Sequence, residues 1–203
     1  MIALALVLGL AVSAGPGDTD LPRSLGVDEA PFLVPAPVQK DEFSIWVGGH
    51  LGFTNAYDAN DLNFTIGADA RFKFSSWLGA DATIDFNGRQ SYEHGTIHLT
   101  QVPLEFAGLI YLPLDLPVQP YGMLGVGFAF TNITYSGSLG GLNDTSEVNP
   151  LFFLGFGVEF AIADNILLDA NLRFVFVNNP QHFQGNSADW LQLTFGILFK
   201  LSK

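Results

Sequence analysis

The residues whose types could do chemistry are four histidines, His50, His94, His98 and His182, and a short series in which Glu93 precedes His98 and Thr100. Neutral imidazoles are common metal ligands. An acid, an imidazole and a hydroxyl are also the parts of a nucleophilic hydrolase. Neither set is spaced for the task. His94 and His98 stand four apart in a loop-to-strand region rather than on one face of a helix, and no nucleophile motif surrounds Thr100. These residues read as rim and loop polar groups, so the sequence predicts no metal site, no catalytic residue and no cofactor.

A second set carries chemistry of another kind: Arg71, Lys73, Asp81, Glu105, Glu159, Asp169, Arg173 and Lys200. Each lies within an alternating run and on its polar parity. In LNFTIGADARFKF, residues 62–74, Leu62, Phe64, Ile66, Ala68, Ala70, Phe72 and Phe74 share one parity, and Asp69, Arg71 and Lys73 fall on the other. A strand sends alternate side chains to opposite faces, so this segment has one face of hydrocarbon and one of charge. The same division recurs at 78–87, at 166–176 and at 191–201.

Eight such runs follow Asp41, at about 43–54, 62–74, 77–87, 96–111, 118–131, 149–162, 166–177 and 189–201. Each reaches the roughly 9 to 11 residues that a tilted strand needs to cross a bilayer. The connections after the second, fourth and sixth runs are compact. Those after the odd runs, NAYDAND, GRQSYEHG, NITYSGSLGGLNDTSE and NNPQHFQGNS, read as longer polar loops. Short turns on one rim and longer loops on the other are the habit of membrane barrels, with the short turns periplasmic.

Composition decides which face meets lipid. Charged residues are 14% of the 203, hydrophobic ones 48%, with 19 Phe and 22 Gly; soluble domains carry roughly a quarter charged residues. If the polar parity met bulk water it would be rich in Lys and Glu. Instead it is rich in small residues, Gly67, Gly79, Gly125, Gly127, Gly155 and Gly157 among them. Repeated glycine suits a wall that curves tightly around a narrow bore. The expected fold is therefore an all-β, eight-stranded, antiparallel up-and-down transmembrane barrel, with lipid on the Phe-rich face and charges inside. Buried charges must be neutralised. A hairpin through Ser75-Ser76 sets Arg71 beside Asp81, with Glu105 at similar depth. The sixth and seventh runs place Glu159 near Asp169, and Arg71, Lys73, Arg173 and Lys200 then meet Asp81, Glu105, Glu159 and Asp169 in the lumen.

The remaining chain adds context. MIALALVLGLAVSA, residues 1–14, resembles a secretion leader with small residues before the expected cleavage, and the proline-rich 15–40 reads as a periplasmic linker ahead of a barrel at 41–203. The net charge of −12, with eight Lys and Arg in all, argues against nucleic acid. The absence of cysteine excludes disulfide and thiolate chemistry.

PYGMLGVGFAF at 120–130 and GFGVEFAIADNILLDANLRFVF at 155–176 resemble two strand motifs of small outer-membrane β-barrels of the outer-membrane-protein-A-like superfamily, over about residues 41–203. The resemblance implies eight antiparallel strands in the bacterial outer membrane and no cofactor. The expected role is structural or surface-interacting, for a monomer with lipids around its wall and an extracellular ligand within reach of its loops. The alternatives are a barrel that binds or passes a small ligand and a lipid A-modifying enzyme, for which Glu93, His98 and Thr100 resemble the acid, base and nucleophile of acyl-removing barrels.

Overall fold

The computed structural model describes residues 43–201 apart from 58, 60, 61, 93, 94, 115–117, 137–143 and 179–187. Residues 1–14, expected to be a leader, and 15–40, expected to be a linker, lie outside the described residues. Eight strands follow one another: β1 Ser44–Ala56, β2 Asn63–Lys73, β3 Leu78–Tyr92, β4 Ile97–Tyr111, β5 Val118–Tyr135, β6 Thr145–Ala163, β7 Ile166–Val177 and β8 Trp190–Lys200. Every strand pairs antiparallel with its sequence neighbours, and β1 pairs β8, closing the barrel.

The registers fix the stagger. Stepping from Trp46 through its partners Arg71, Asp81, Ala107, Gly125, Phe153, Val175 and Trp190 returns to β1 at Ala56, ten residues along from Trp46. A stagger of that size tilts the strands and closes eight of them around a bore that side chains can fill.

Alternation assigns the faces. On β5, Leu124, Val126 and Phe128 are 68%, 63% and 50% exposed, whereas Met123 and Ala129, which flank them, are 6% and 0%. Phe and Leu line the outside of every strand in this way, an apolar surface far larger than a soluble monomer carries and the one a bilayer requires. The inward face holds the charges, amides and small residues.

Glycine on that inward face makes room for large side chains on the next strand. His50 faces Gly67 on one side and Gly196 on the other, Tyr121 faces Gly157, and Phe153 faces Gly125. A Cβ added at Gly157 would lie 2.5 Å from the Tyr121 ring.

Three strands run further than alternation predicts, to Tyr92 in β3, to Tyr135 in β5 and back to Thr145 in β6. A register shift between Asn87 and Gln90 moves the inward parity of β3 from odd to even numbers. Past that bulge, polar residues occupy both faces and the period disappears from the sequence. GRQSYEHG is consequently strand for most of its length, and the β3–β4 connection is only residues 93–96, turning at Gly95 with φ of 86°. The expectation of long loops after every odd run is corrected at this hairpin.

Filling the notch under Tyr121 has a measurable consequence. Gly157→Ala is expected to lower the urea-unfolding free energy in detergent micelles by about 1–3 kcal/mol. Gly108→Ala, whose added methyl meets nothing within 4 Å, should leave it unchanged or slightly raised. Equal effects of the two substitutions would contradict this account of the packing.

Candidate functional site

Arg71 on β2 is the centre of the lumen. Its Nη1 donates to Glu159 Oε1 on β6 and to Asp169 Oδ1 on β7, and its Nη2 donates to Asp81 Oδ2 on β3, all at 2.7 Å. In an eight-stranded ring β6 stands opposite β2, so this guanidinium spans the bore. Lys73, one inward position nearer the periplasmic rim, pairs with Glu159 and lies 4.8 Å from the centre of the Tyr111 ring. The hydroxyls of Tyr111 and Tyr121 donate to Glu159 Oε1 and Asp169 Oδ1 at 2.8 Å each. Tyr121 also places its ring 5.1 Å from the Arg71 guanidinium carbon.

A second centre sits nearer the external side. Arg173 Nη1 donates to Glu105 Oε2 at 2.8 Å and lies 3.8 Å from Asp85 Oδ2, while its Nε donates to Asn171 at 3.0 Å. His50 on β1 connects to the next two strands, β2 and β3. Its Nδ1 is 2.7 Å from Asp69 Oδ2 and its Nε2 is 2.6 Å from Asp85 Oδ1. Ionised carboxylates only accept hydrogen bonds, so a ring donating from both nitrogens acts as a further cation. Each of these charged side chains is no more than 7% exposed. Although His50 has two carboxylates, they flank the ring on opposite sides. Among the described residues no group of three or more such side chains is arranged to hold a metal ion.

Above and below the charges the lumen is layered. Trp46, Leu167 and Leu198 form a small apolar cluster at the periplasmic end. Toward the external end come amides and hydroxyls: Gln192 Nε2 donates to Asp85 at 2.8 Å, Thr65 Oγ1 donates to Asn87 at 2.7 Å, and Trp190 Nε1 donates to Gln192 at 3.2 Å. Beyond them Tyr92, Leu99 and Ile133, each 0% exposed, pack in the large apolar cluster.

The eight predicted residues therefore have distinct fates. Arg71, Lys73, Asp81, Glu159 and Asp169 meet in one group, and Glu105 pairs with Arg173 in the other. Lys200 joins neither; its Nζ lies 5.8 Å from the Trp46 ring at the periplasmic rim. The four-against-four balance is thus corrected, because Lys200 stays out of the network while Asp69, Asp85 and His50 enter it. His50, expected at the external rim, is instead a buried lumen group. Its parity, shared with Trp46, Gly52 and Thr54, was the signal that could have found it. His98 faces outward, with Nδ1 3.2 Å from Ser91 Oγ, and Thr100 lies on the same face. Glu93, His94 and His182 fall outside the described residues.

Residues 30–198 match the model of the outer membrane protein beta-barrel domain. The chain belongs to that family. No curated protein matches it by sequence. Among solved structures it is similar to OprG of Pseudomonas aeruginosa, with TM-score 0.63 and 12% identity over 81% of this chain and 98% of that one. It is also similar to Neisserial surface protein A, with TM-score 0.59 and 15% identity over 78% and 97%. Ail of Yersinia pestis in complex with the heparin analogue sucrose octasulfate gives TM-score 0.52 and 15% identity over 80% and 100%. At these identities the likeness is one of fold. As a member of the family, this chain is an outer-membrane β-barrel protein of the bacterial outer membrane.

Two of the four cationic positions predicted for the lumen, Arg71 and Lys200, separate experimentally. Arg71→Met leaves Asp81 without its cation and takes one donor each from Glu159 and Asp169, and should lower unfolding free energy in micelles by about 3–5 kcal/mol. Lys200→Met should change it by less than about 0.5 kcal/mol. A mild effect at Arg71 would show that the guanidinium does not hold the bore together.

Proposed function

We propose that this protein is a closed outer-membrane barrel with a structural or surface-interaction role, its lumen a plug rather than a passage. The observation that carries the reading is Arg71, which reaches from β2 to carboxylates on β3, β6 and β7 and so crosses the bore. An ion would have to break those bonds to pass, and breaking a buried pair by several kcal/mol makes passage slow. The apolar residues at the external end, Tyr92, Leu99 and Ile133, support the same reading, since they occupy the lumen above the charges.

Contact with other molecules then falls to the external surface. The connections there, at 57–62, 93–96, 136–144 and 178–189, contain no Lys or Arg but include Asp58, Asp61, Glu93, Asp144 and Asp189. A cationic partner, or one bridged by divalent cations, suits that charge. The sulfated ligand named for the Ail structure does not.

Planar-bilayer recording tests the plug. Purified protein inserted into a bilayer is expected to give no steady single-channel conductance in neutral salt, against a porin control measured in the same chamber. Stable, reproducible conductance steps from the wild-type barrel would overturn the reading and favour a transport role.

A further inference from the structure

The outward wall of β3 to β6 is not apolar all the way up. At its external end two rows of polar residues face outward. In one, Ser91, His98 and Thr134 are partners across β3, β4 and β5; in the other, Thr100, Asn132 and Ser146 are partners across β4, β5 and β6. Directly beneath the second row lie Val102, Phe130 and Val148, again partners or near partners on the same face. A hollow of about 380 Å³ opens between the two levels, with Thr100, Asn132 and Ser146 at its upper edge and Val102, Phe130 and Val148 below.

Arg89 stands beside this hollow. It belongs to the irregular stretch between Asn87 and Gln90, where the bulge turns it outward and leaves it exposed. From residue 43 onward the basic residues are Arg71, Lys73, Arg89, Arg173, Lys200 and Lys203. The described ones other than Arg89 lie in the lumen or at the periplasmic rim. In a chain of net charge −12, the single guanidinium of the external third among the described residues is therefore on the wall, just above the hydrocarbon band, and not on the connections. Among the described residues two carboxylates lie in this part of the wall: Glu147, on the inward parity of β6, contributes to the lining of the hollow behind Ser146 and Val148, and Asp144 Oδ1 accepts from the Tyr135 backbone N–H at 3.4 Å.

We propose that this hollow, with Arg89 and His98, seats one phosphorylated glycolipid of the outer leaflet. The lower half is apolar and takes the first segment of an acyl chain. The upper edge offers hydroxyls and an amide to a sugar ring and its amide or ester linkages, groups that are themselves donors and acceptors. Arg89, with the His98 ring beside Ser91, faces the phosphate, for which a guanidinium's fork is suited. An apolar half alone would describe any annular lipid. What singles out this segment of wall is that hydrogen-bonding row, depression and cation coincide there. The proposal does not depend on the lumen being closed, so the conductance test and the one below can fail separately.

Native mass spectrometry of the purified barrel in detergent tests it, using bis-phosphorylated lipid A, the same lipid after enzymatic dephosphorylation, and inorganic phosphate as probes. Wild type should retain one bis-phosphorylated lipid A about fivefold more strongly than the dephosphorylated form, the size expected for one basic residue at a membrane surface. Arg89→Gln should abolish that preference, and Ser146→Leu, which fills the hollow from its upper edge, should weaken retention of both lipids. Gel migration before and after boiling verifies that each variant is folded. Equal retention of the two lipids by wild type, or a preference surviving Arg89→Gln, would overturn the proposal. Displacement of the lipid by equimolar inorganic phosphate would also overturn it, by assigning the site to soluble phosphate.

Discussion

The structure depends on one constraint: eight strands staggered by ten residues, the offset from Trp46 to Ala56, enclose a bore too narrow for water to solvate what it contains. Each inward side chain must be complemented by another or by the absence of one. Glycine supplies the absence, opposite His50, Tyr121 and Phe153. The guanidiniums supply the complement. Arg71 donates to three carboxylates where no solvent is at hand, and the tyrosine hydroxyls on Glu159 and Asp169 occupy further lone pairs of two of them, leaving Asp81 Oδ1 without a partner.

Such a network is not an efficient source of stability. Removing charges from water opposes their attraction, and a well-packed apolar core of equal volume is often at least as stable. Its contribution here is to specificity. Arg71 meets its partners on β3, β6 and β7 only when the barrel closes with this strand count and this stagger; a slip of one residue would turn Arg71 to lipid and bring Phe72 into the bore. The cost of a charge in hydrocarbon makes that alternative far worse than the native register. The ion network thus acts as a register key for a fold whose lipid-facing surface, mostly Leu, Ile, Val and Phe, discriminates poorly between registers.

This division explains what could be read from the sequence. Alternation alone assigned the faces of β2, β3, β7 and β8, and tight connections gave the pairs Arg71–Asp81 and Glu159–Asp169, which are neighbours across single turns. Contacts across the bore were a different matter. Whether Arg71 reaches Glu159 depends on the stagger accumulated over four strands, and no local pattern encodes that sum. His50 was placed too high for the same reason, since its depth relative to Asp69 and Asp85 follows from the registers of three strands. Lys200 was placed too deep for want of the same information. The external ends of β3, β5 and β6 were hidden because polar residues occur there on both faces.

That last failure points to a physical feature of the wall. Alternation is strong where one face meets hydrocarbon and the other meets the lumen, and it weakens where the outer face leaves the hydrocarbon. The strands continue past that level because their backbone hydrogen bonds still need partners, as the β3–β4 pairing through Tyr92 and Ile97 shows. The side chains, no longer constrained by lipid tails, become Thr, Asn, Ser, His and Arg. A strand segment that keeps its pairing but loses its period marks the interfacial zone of a barrel. In this chain that zone is richest on β3 to β6, the half of the wall where the strands also rise highest.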